Sequence, residues 1–241
     1  MIGTCLTLAG LQAHAGENDF SDSQRQTINK MIHDYLLENP EILPEAIQIL
    51  QKRQKKIKLE RNHAGLYQDG FSYVAGNKNG NATLIEFFDY NCTYCKRSLS
   101  NIEKLKREDP DLRVIYKEFP ILAESSYTAS KAAMASMKQG KYMKFHIAML
   151  RNTGKLTEER IFEIARKVGL DEKRLVKDMT DPALDRNIKT NHDLAQAMGI
   201  TGTPGFIIGD TILSGALPYA ELVGLIKAER QQSALDQAPK R

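Results

Sequence analysis

The stretch FFDYNCTYCKRS, residues 87–98, decides how this chain is read. It joins an apolar run of strand length to a charged segment of helical period, with Cys92 and Cys95 at the junction. Around it, TLIEFFDY (83–90) is almost continuously apolar, the pattern of a central strand covered on both faces. Downstream, Leu99, Ile102 and Leu105 recur at helical spacing until Asp109-Pro110, and LRVIYKEF (112–119) reads as a second strand. Strand, helix, strand in this order is a right-handed βαβ unit.

A cysteine in the first turn of a helix faces unpaired backbone N–H groups and the positive end of the helix dipole. Both favour the thiolate, so Cys92 is expected to have a depressed pKa, with Cys95 one turn further in, buried and acting second. A fall to ~4.5 from ~8.5 would stabilise the reduced form by roughly 3.4 kcal/mol at pH 7 and make the disulfide more oxidising by about 70 mV. Lys96 and Arg97 either help to hold the thiolate or form a solvated face. A closed zinc site needs four ligands. The cysteine pair has no histidine near it in sequence, with His146 and His192 far downstream, so neither a metal nor a cofactor is implied. Asn91-Cys92-Thr93 also fits a glycosylation sequon, a pattern too short to carry weight.

Two other features bear on this dithiol. TGTPGF (201–206) puts Thr203-Pro204 just before a strand. It is either a simple turn or a cis peptide presenting backbone polar groups to an incoming peptide. Glu86 interrupts the apolar strand. Buried, it would have a shifted pKa and could relay protons from Cys95; at a sheet edge it would merely be solvated.

The 241 residues are 41% hydrophobic and 27% charged with net charge +4, an ordinary globular balance whose diffuse positive excess gives no case for nucleic-acid binding. No apolar run reaches the ~18 residues of a membrane span. Residues 1–15, MIGTCLTLAGLQAHA, carry an apolar core from Ile2 to Leu11 and then Ala13-His14-Ala15. This reads as a secretory signal cut after Ala15, though without a basic start; the alternative is a buried N-terminal helix. With the signal gone, Cys5 goes too, leaving one Cys-x-x-Cys and no structural disulfide framework.

After a loose polar stretch at 16–23, helical patterns occupy 24–38 (Ile28, Met31, Ile32, Tyr35, Leu36) and 43–61 (Leu43, Ile47, Leu50, Ile57), broken at Asn39-Pro40. Two helices cannot bury their own stripes. They must pack on the main domain or on another copy of themselves. Residues 75–83 read as a Gly/Asn-rich turn. Residues 125–199 read as helical, with caps expected at Ser125 or Ser126, Thr157 and Asp171, Pro182 opening the last helix and Gly140, Gly169 and Gly199 as stops. A hairpin around Gly209-Asp210 follows, then a helix from about Pro218 to Glu229. The domains expected are a signal at 1–15, a helical oligomerisation region at 16–65, an α/β domain at 66–229 with a helical insert at about 124–199, and a disordered tail at 230–241.

Cys-x-x-Cys, a helical insert and a later Thr-Pro before a strand resemble the DsbA-type thioredoxin-fold oxidoreductases of bacterial envelopes, over roughly 80–229. EFFDYNCTYC is similar to that family's Glu-Phe-Phe lead-in. The resemblance implies a thioredoxin fold with a helical insertion, Cys92 as nucleophile, Cys95 as resolving thiol, Glu86 as buried acid and Pro204 as cis-proline, with Thr203 beside it in substrate binding. Strongly oxidising members carry Pro-His where this chain has Thr93-Tyr94, and Thr203 resembles the DsbC-type isomerases. The helices at 24–61 look like the oligomerising extension of ScsC-like proteins. The resemblance therefore implies a periplasmic thiol–disulfide oxidoreductase or isomerase, acting as a homodimer or homotrimer on unfolded or misoxidised exported proteins. A DsbD-like or DsbB-like membrane partner would set its redox state. The rival expectation is an oligomeric envelope chaperone or copper-handling protein whose dithiol binds metal.

Overall fold

The computed structural model describes residues 20–237; the signal expected at 1–15, with Cys5, lies outside them. The chain forms two compact units, through Arg53 and from Gln54 onward. In the first, α1 (Asp22–Glu38) starts at Ser21 with a reciprocal capping box, since Gln24 N–H donates to Ser21 Oγ and Ser21 N–H to Gln24 Oε1. The helix therefore begins inside the stretch expected to be loose. It ends at Asn39, whose side-chain amide donates to the Tyr35 carbonyl. No residue of α1 is buried. Helix α2 (Ile42–Arg61) begins after Pro40, and Leu43, Ile47 and Leu50 on it are exposed, as are Met31, Ile32 and Tyr35 of α1.

The second unit is built on a five-stranded sheet of order β1-β3-β2-β4-β5, comprising β1 (Tyr73–Gly76), β2 (Ala82–Phe88), β3 (Leu112–Glu118), β4 (Gly205–Ile208) and β5 (Thr211–Ser214). Strands β2 and β3 run parallel, joined by α4 (Thr93–Glu108), and the other pairings are antiparallel. This is the expected βαβ and ββα order, with one strand added. Strand β1 falls partly inside the segment read as a turn. Four residues carry little local signal, and β1 exists through its register with β3, from Tyr73↔Tyr116 to Gly76↔Arg113. Gly76 has φ +72°, and a side chain there would collide with the Leu112 carbonyl, so glycine is required.

Alternation along β2 explains why its sequence is apolar throughout. Leu84 and Phe88 point into the larger core with Leu99, Ile102 and Leu105 of α4 and Leu222 and Ile226 of α10 (Tyr219–Gln237). Ile85 and Phe87 point to the opposite face, against Leu66 of α3 (His63–Tyr67) and Leu194 and Met198 of α9 (Pro182–Met198). Glu86 shares the α4 side with its alternate neighbours.

The insert consists of α5 (Glu124–Ser136), a 3₁₀ turn, α6 (Tyr142–Leu150), α7 (Glu158–Lys167), α8 (Glu172–Met179) and α9. Thr157 caps α7, Asp171 caps α8, Pro182 is the first residue of α9, and Gly140 and Gly199 take the left-handed conformation as stops. The cap expected at Ser125 or Ser126 is not formed: α5 starts after Ala123, because Ser126 donates instead to buried Asp89. Helix α10 also corrects the tail. Residues 230–237 are helical, since QQSALDQ contains good helix formers and no Gly or Pro, and Ser233 Oγ bonds Glu229.

Candidate active site

The loop from Asp89 to Cys92 turns the chain from β2 into α4, and Asp89 fixes its path. This buried carboxylate accepts from Asn91 N–H (2.7 Å), Ile121 N–H (2.8 Å), Leu122 N–H (2.9 Å) and Ser126 Oγ (2.7 Å), while its own carbonyl accepts from Cys92 N–H (3.1 Å). Asn91 Nδ2 then donates to Ser125 and Ser126. The sequon asparagine is thus committed to internal hydrogen bonds.

Cys92 is the N-cap of α4, in extended conformation (φ −75°, ψ 115°), and its sulfur accepts the backbone N–H of Cys95 at 3.2 Å. It occupies the cap rather than the first turn, a position where a side-chain acceptor meets an unpaired N–H. Across the site, Cys92 Sγ donates to the Thr203 carbonyl at 3.1 Å, and the Thr203–Pro204 peptide is cis. Residues 111 apart in the chain therefore meet at one sulfur. Both cysteines are free thiols. Cys95 is wholly buried, and Cys92 is 4% exposed, more enclosed than a helix-start position suggests, with half-buried Thr203 bonded to its sulfur from across the site.

The Cys92 pKa is lowered to about 6. The largest cause is the Cys95 side chain as hydrogen-bond donor; burial opposes it, and Thr203 and the backbone N–H groups of Cys95 and Tyr94 assist. The Cys95 thiol is pushed far up by burial and by donating to Cys92. The two sulfurs are thus unequal: one ionises, the other keeps its proton. A Cys92 pKa of about 6 against 9.0 stabilises the reduced form at pH 7 by at most about 1.4 kcal/mol, or about 30 mV, under half of what a pKa near ~4.5 would give. Lys96 is half-buried, its ammonium 2.9 Å from the Asn152 carbonyl and within reach of the Cys92 charge, whereas Arg97 is exposed over the Tyr94 ring.

Glu86 is 1% exposed, with Oε1 lacking a hydrogen-bond partner among the described residues. Its pKa is raised to about 8 by burial first, then by the Cys92 charge, with Lys106 opposing. It is therefore a buried acid and not a solvated edge residue, and its charge reaches Cys95. Cys92, Cys95, Glu86, Thr203 and Pro204 thus gather in one place.

Sequence reasoning missed the polar cluster behind them. Glu118, 2% exposed, accepts from Tyr142 Oη (2.7 Å) and is bonded to Tyr90 Oη (3.1 Å), which lies 3.1 Å from His146 Nδ1. Burial raises the Glu118 pKa to about 8 and lowers that of His146 to about 3. The available signal was alternation: Glu118 shares the inward face of β3 with Tyr116 and Val114, as Glu86 shares that of β2. His146 gave none, because its position follows from how α6 packs. On the other face, Lys117 is buried in an ion pair with Asp69 and also donates to the Gly65 carbonyl.

Residues 83–227 match the family described as DSBA-like thioredoxin domain, and residues 24–56 match the Copper resistance protein ScsC N-terminal domain. A thioredoxin-like oxidoreductase from Silicibacter pomeroyi is 39% identical, with a TM-score of 0.69 over 70% of this chain and 98% of that one. A linker-deletion mutant of Proteus mirabilis ScsC is 31% identical, with a TM-score of 0.73 over 90% of this chain and 100% of that one. The thiol-disulfide exchange protein alpha-DsbA2 from Wolbachia pipientis is 28% identical, with a TM-score of 0.69 over 74% of this chain and 97% of that one. Among curated proteins, the Na(+)/H(+) antiporter NhaA of Herminiimonas arsenicoxydans is 23% identical over 69% of this chain, which spans 27% of the antiporter's length. The fold is the expected thioredoxin-like one with a helical insertion, and the dithiol stands at the start of α4 beside a cis-proline. The chain belongs to the DsbA-like thioredoxin domain family, and carries the ScsC N-terminal domain ahead of it.

Proposed function

We propose that this chain is a periplasmic thiol–disulfide oxidoreductase that isomerises or introduces disulfides in exported proteins. The observation that carries this reading is the single sulfur of Cys92, held by the Cys95 N–H on one side and set against Thr203 and cis-Pro204 on the other. Cys92 thiolate attacks a client disulfide, forming a Cys92–client bond and releasing a client thiolate. Cys95 or a client thiol then resolves the mixed disulfide. Thr203 and Pro204 hold the client backbone, and Glu86 exchanges a proton with Cys95. The DsbC-like Thr203 and a homodimer or homotrimer formed through residues 16–65 favour isomerisation, because a client retained between catalytic domains can be attacked repeatedly. An isomerase requires a DsbD-like membrane donor to keep the pair reduced; an oxidase requires a DsbB-like acceptor. The name of a Salmonella enterica neighbour, 32% identical, places that protein in the periplasm, in keeping with the export signal read at 1–15.

A second reading, soft-metal binding by the dithiol, is suggested by the words copper resistance in the family matched at 24–56. It ranks behind, because the second sulfur, Cys95, resists losing the proton a metal thiolate requires. Reactivation of scrambled ribonuclease separates the two. Wild type is expected to restore activity and Cys92→Ser to lose that ability; undiminished recovery by Cys92→Ser removes the oxidoreductase reading. The cellular redox state of the Cys92–Cys95 pair then distinguishes isomerase, found reduced, from oxidase, found oxidised.

A further inference from the structure

Behind the dithiol lie two buried carboxyls of unequal surroundings. Glu86 and Glu118 project from adjacent parallel strands on the same face: Glu86 is in register with Tyr116, and Glu118 follows two residues later. Both are essentially inaccessible. Glu118 Oε1 is held by Tyr142 Oη at 2.7 Å and Tyr90 Oη at 3.1 Å, whereas neither tyrosine bonds Glu86, whose Oε1 has no partner among the described residues. Donors that converge on a carboxylate favour its ionised form, and a second buried carboxyl nearby then holds its proton more tightly.

We propose, resting on the oxidoreductase reading, that Glu118 is a positioning residue for exchange: clamped by Tyr90 and Tyr142, it is the first of the two carboxyls to ionise, and so keeps Glu86 protonated opposite Cys95. The consequence lies in the disulfide-donating direction. A client thiolate attacks Cys92 Sγ, the Cys92–Cys95 bond breaks as the client–Cys92 bond forms, and the electron pair goes to Cys95 Sγ. That sulfur takes the proton from Glu86, and the charge that arrived on the client sulfur ends on the Glu86 carboxylate. In the reverse direction the Glu86 carboxylate takes the proton of Cys95 as Cys95 attacks the mixed disulfide.

Burial raises both carboxyls to about 8, and the order between them rests on the tyrosine hydroxyls that reach Glu118 and not Glu86. Glu118 raises the proton affinity of Glu86, and both tyrosines stay neutral donors, since burial and Glu118 push their pKa values well up. The groups facing the pair are Cys92 and Cys95 at the start of α4, Lys106 further along it, Asp89 and Tyr90 in the lead-in loop, Tyr116 on β3, and Tyr142 and His146 on α6. Lys106 favours the Glu86 charge, and His146, held neutral by burial, contributes no charge near neutral pH.

The test follows the carboxyl ¹³C resonances of reduced, full-length, ¹³C-glutamate-labelled protein against pH, with Glu86→Gln assigning the Glu86 signal. In Glu118→Gln the Glu86 midpoint is expected to fall by about one pH unit. In Tyr142→Phe, a milder change that keeps the acid but removes one donor, it falls in the same direction by less. An unchanged Glu86 midpoint in both variants overturns the proposal, as does a Glu118 midpoint above that of Glu86 in wild type. The titration involves no client. A wild type that titrates as expected yet fails to reactivate scrambled ribonuclease overturns the oxidoreductase reading, and with it the exchange role of the pair, while leaving the order of ionisation standing.

Discussion

Glu86 links proton transfer to stability. An acid whose pKa is raised in the folded state destabilises the fold wherever the unfolded chain ionises and the folded one does not. For Glu86, held near 8 against an ordinary 4.5, that penalty is absent below pH 4.5, grows as pH rises and levels off above pH 8. Glu86→Gln is therefore expected to stabilise the protein by about 2–3 kcal/mol at pH 7 and by almost nothing at pH 4, measured by urea unfolding at each pH. Cys92 acts with the opposite sign. Its lowered pKa stabilises the reduced fold above pH 9, and that contribution is lost as pH falls through about 6. Alkylation of reduced Cys92 should accordingly rise through a midpoint near pH 6, where an unperturbed thiol would titrate near 9.

At the scale of elements, the lead-in loop and the N-cap of α4 depend on Asp89. Replacing it with alanine removes charge-assisted hydrogen bonds and leaves the Ile121 and Leu122 N–H groups without their carboxylate acceptor. Asp89→Ala is expected to cost about 3–5 kcal/mol in urea unfolding, and Asp89→Asn less, since the amide oxygen keeps part of the acceptor capacity. Such elements divide cleanly by what sequence makes visible. The run at 83–90, the helical period after Cys95, the caps at Thr157 and Asp171 and the helix-opening Pro182 are local signals, and the fold follows them. Strand β1, the start of α5 and the Glu118–Tyr90–His146 cluster are set by distant partners. The dithiol, Glu86 and Thr203-Pro204 were legible because each breaks its local pattern: a cysteine pair at a helix start, an acid in an apolar strand, a proline before another. His146 breaks no pattern, and only packing reveals its place.

For the whole molecule, the open question posed by the sequence is what covers the apolar residues of α1 and α2. Met31, Ile32, Tyr35, Leu43, Ile47 and Leu50 are all exposed in the single chain, and clusters of exposed large apolar side chains mark interaction surfaces. If a second or third copy covers them, Ile47→Lys combined with Leu50→Lys should reduce the solution mass of the full chain to that of one 27.1 kDa protomer, read by light scattering. A mass unchanged by the pair of charges places the contacts elsewhere. The ribonuclease assay on the same variant would show how far isomerisation depends on assembly.

The central claim is that one sulfur, at position 92, forms the covalent bond with client proteins. The direct measurement is to incubate Cys95→Ser with scrambled ribonuclease, quench with acid, and map the disulfide-linked peptides by mass spectrometry. The account predicts a stable mixed disulfide joining Cys92 to ribonuclease cysteines, absent when Cys92 is also replaced by serine. Recovery of Cys92 as a free thiol, with no covalent adduct, would contradict it.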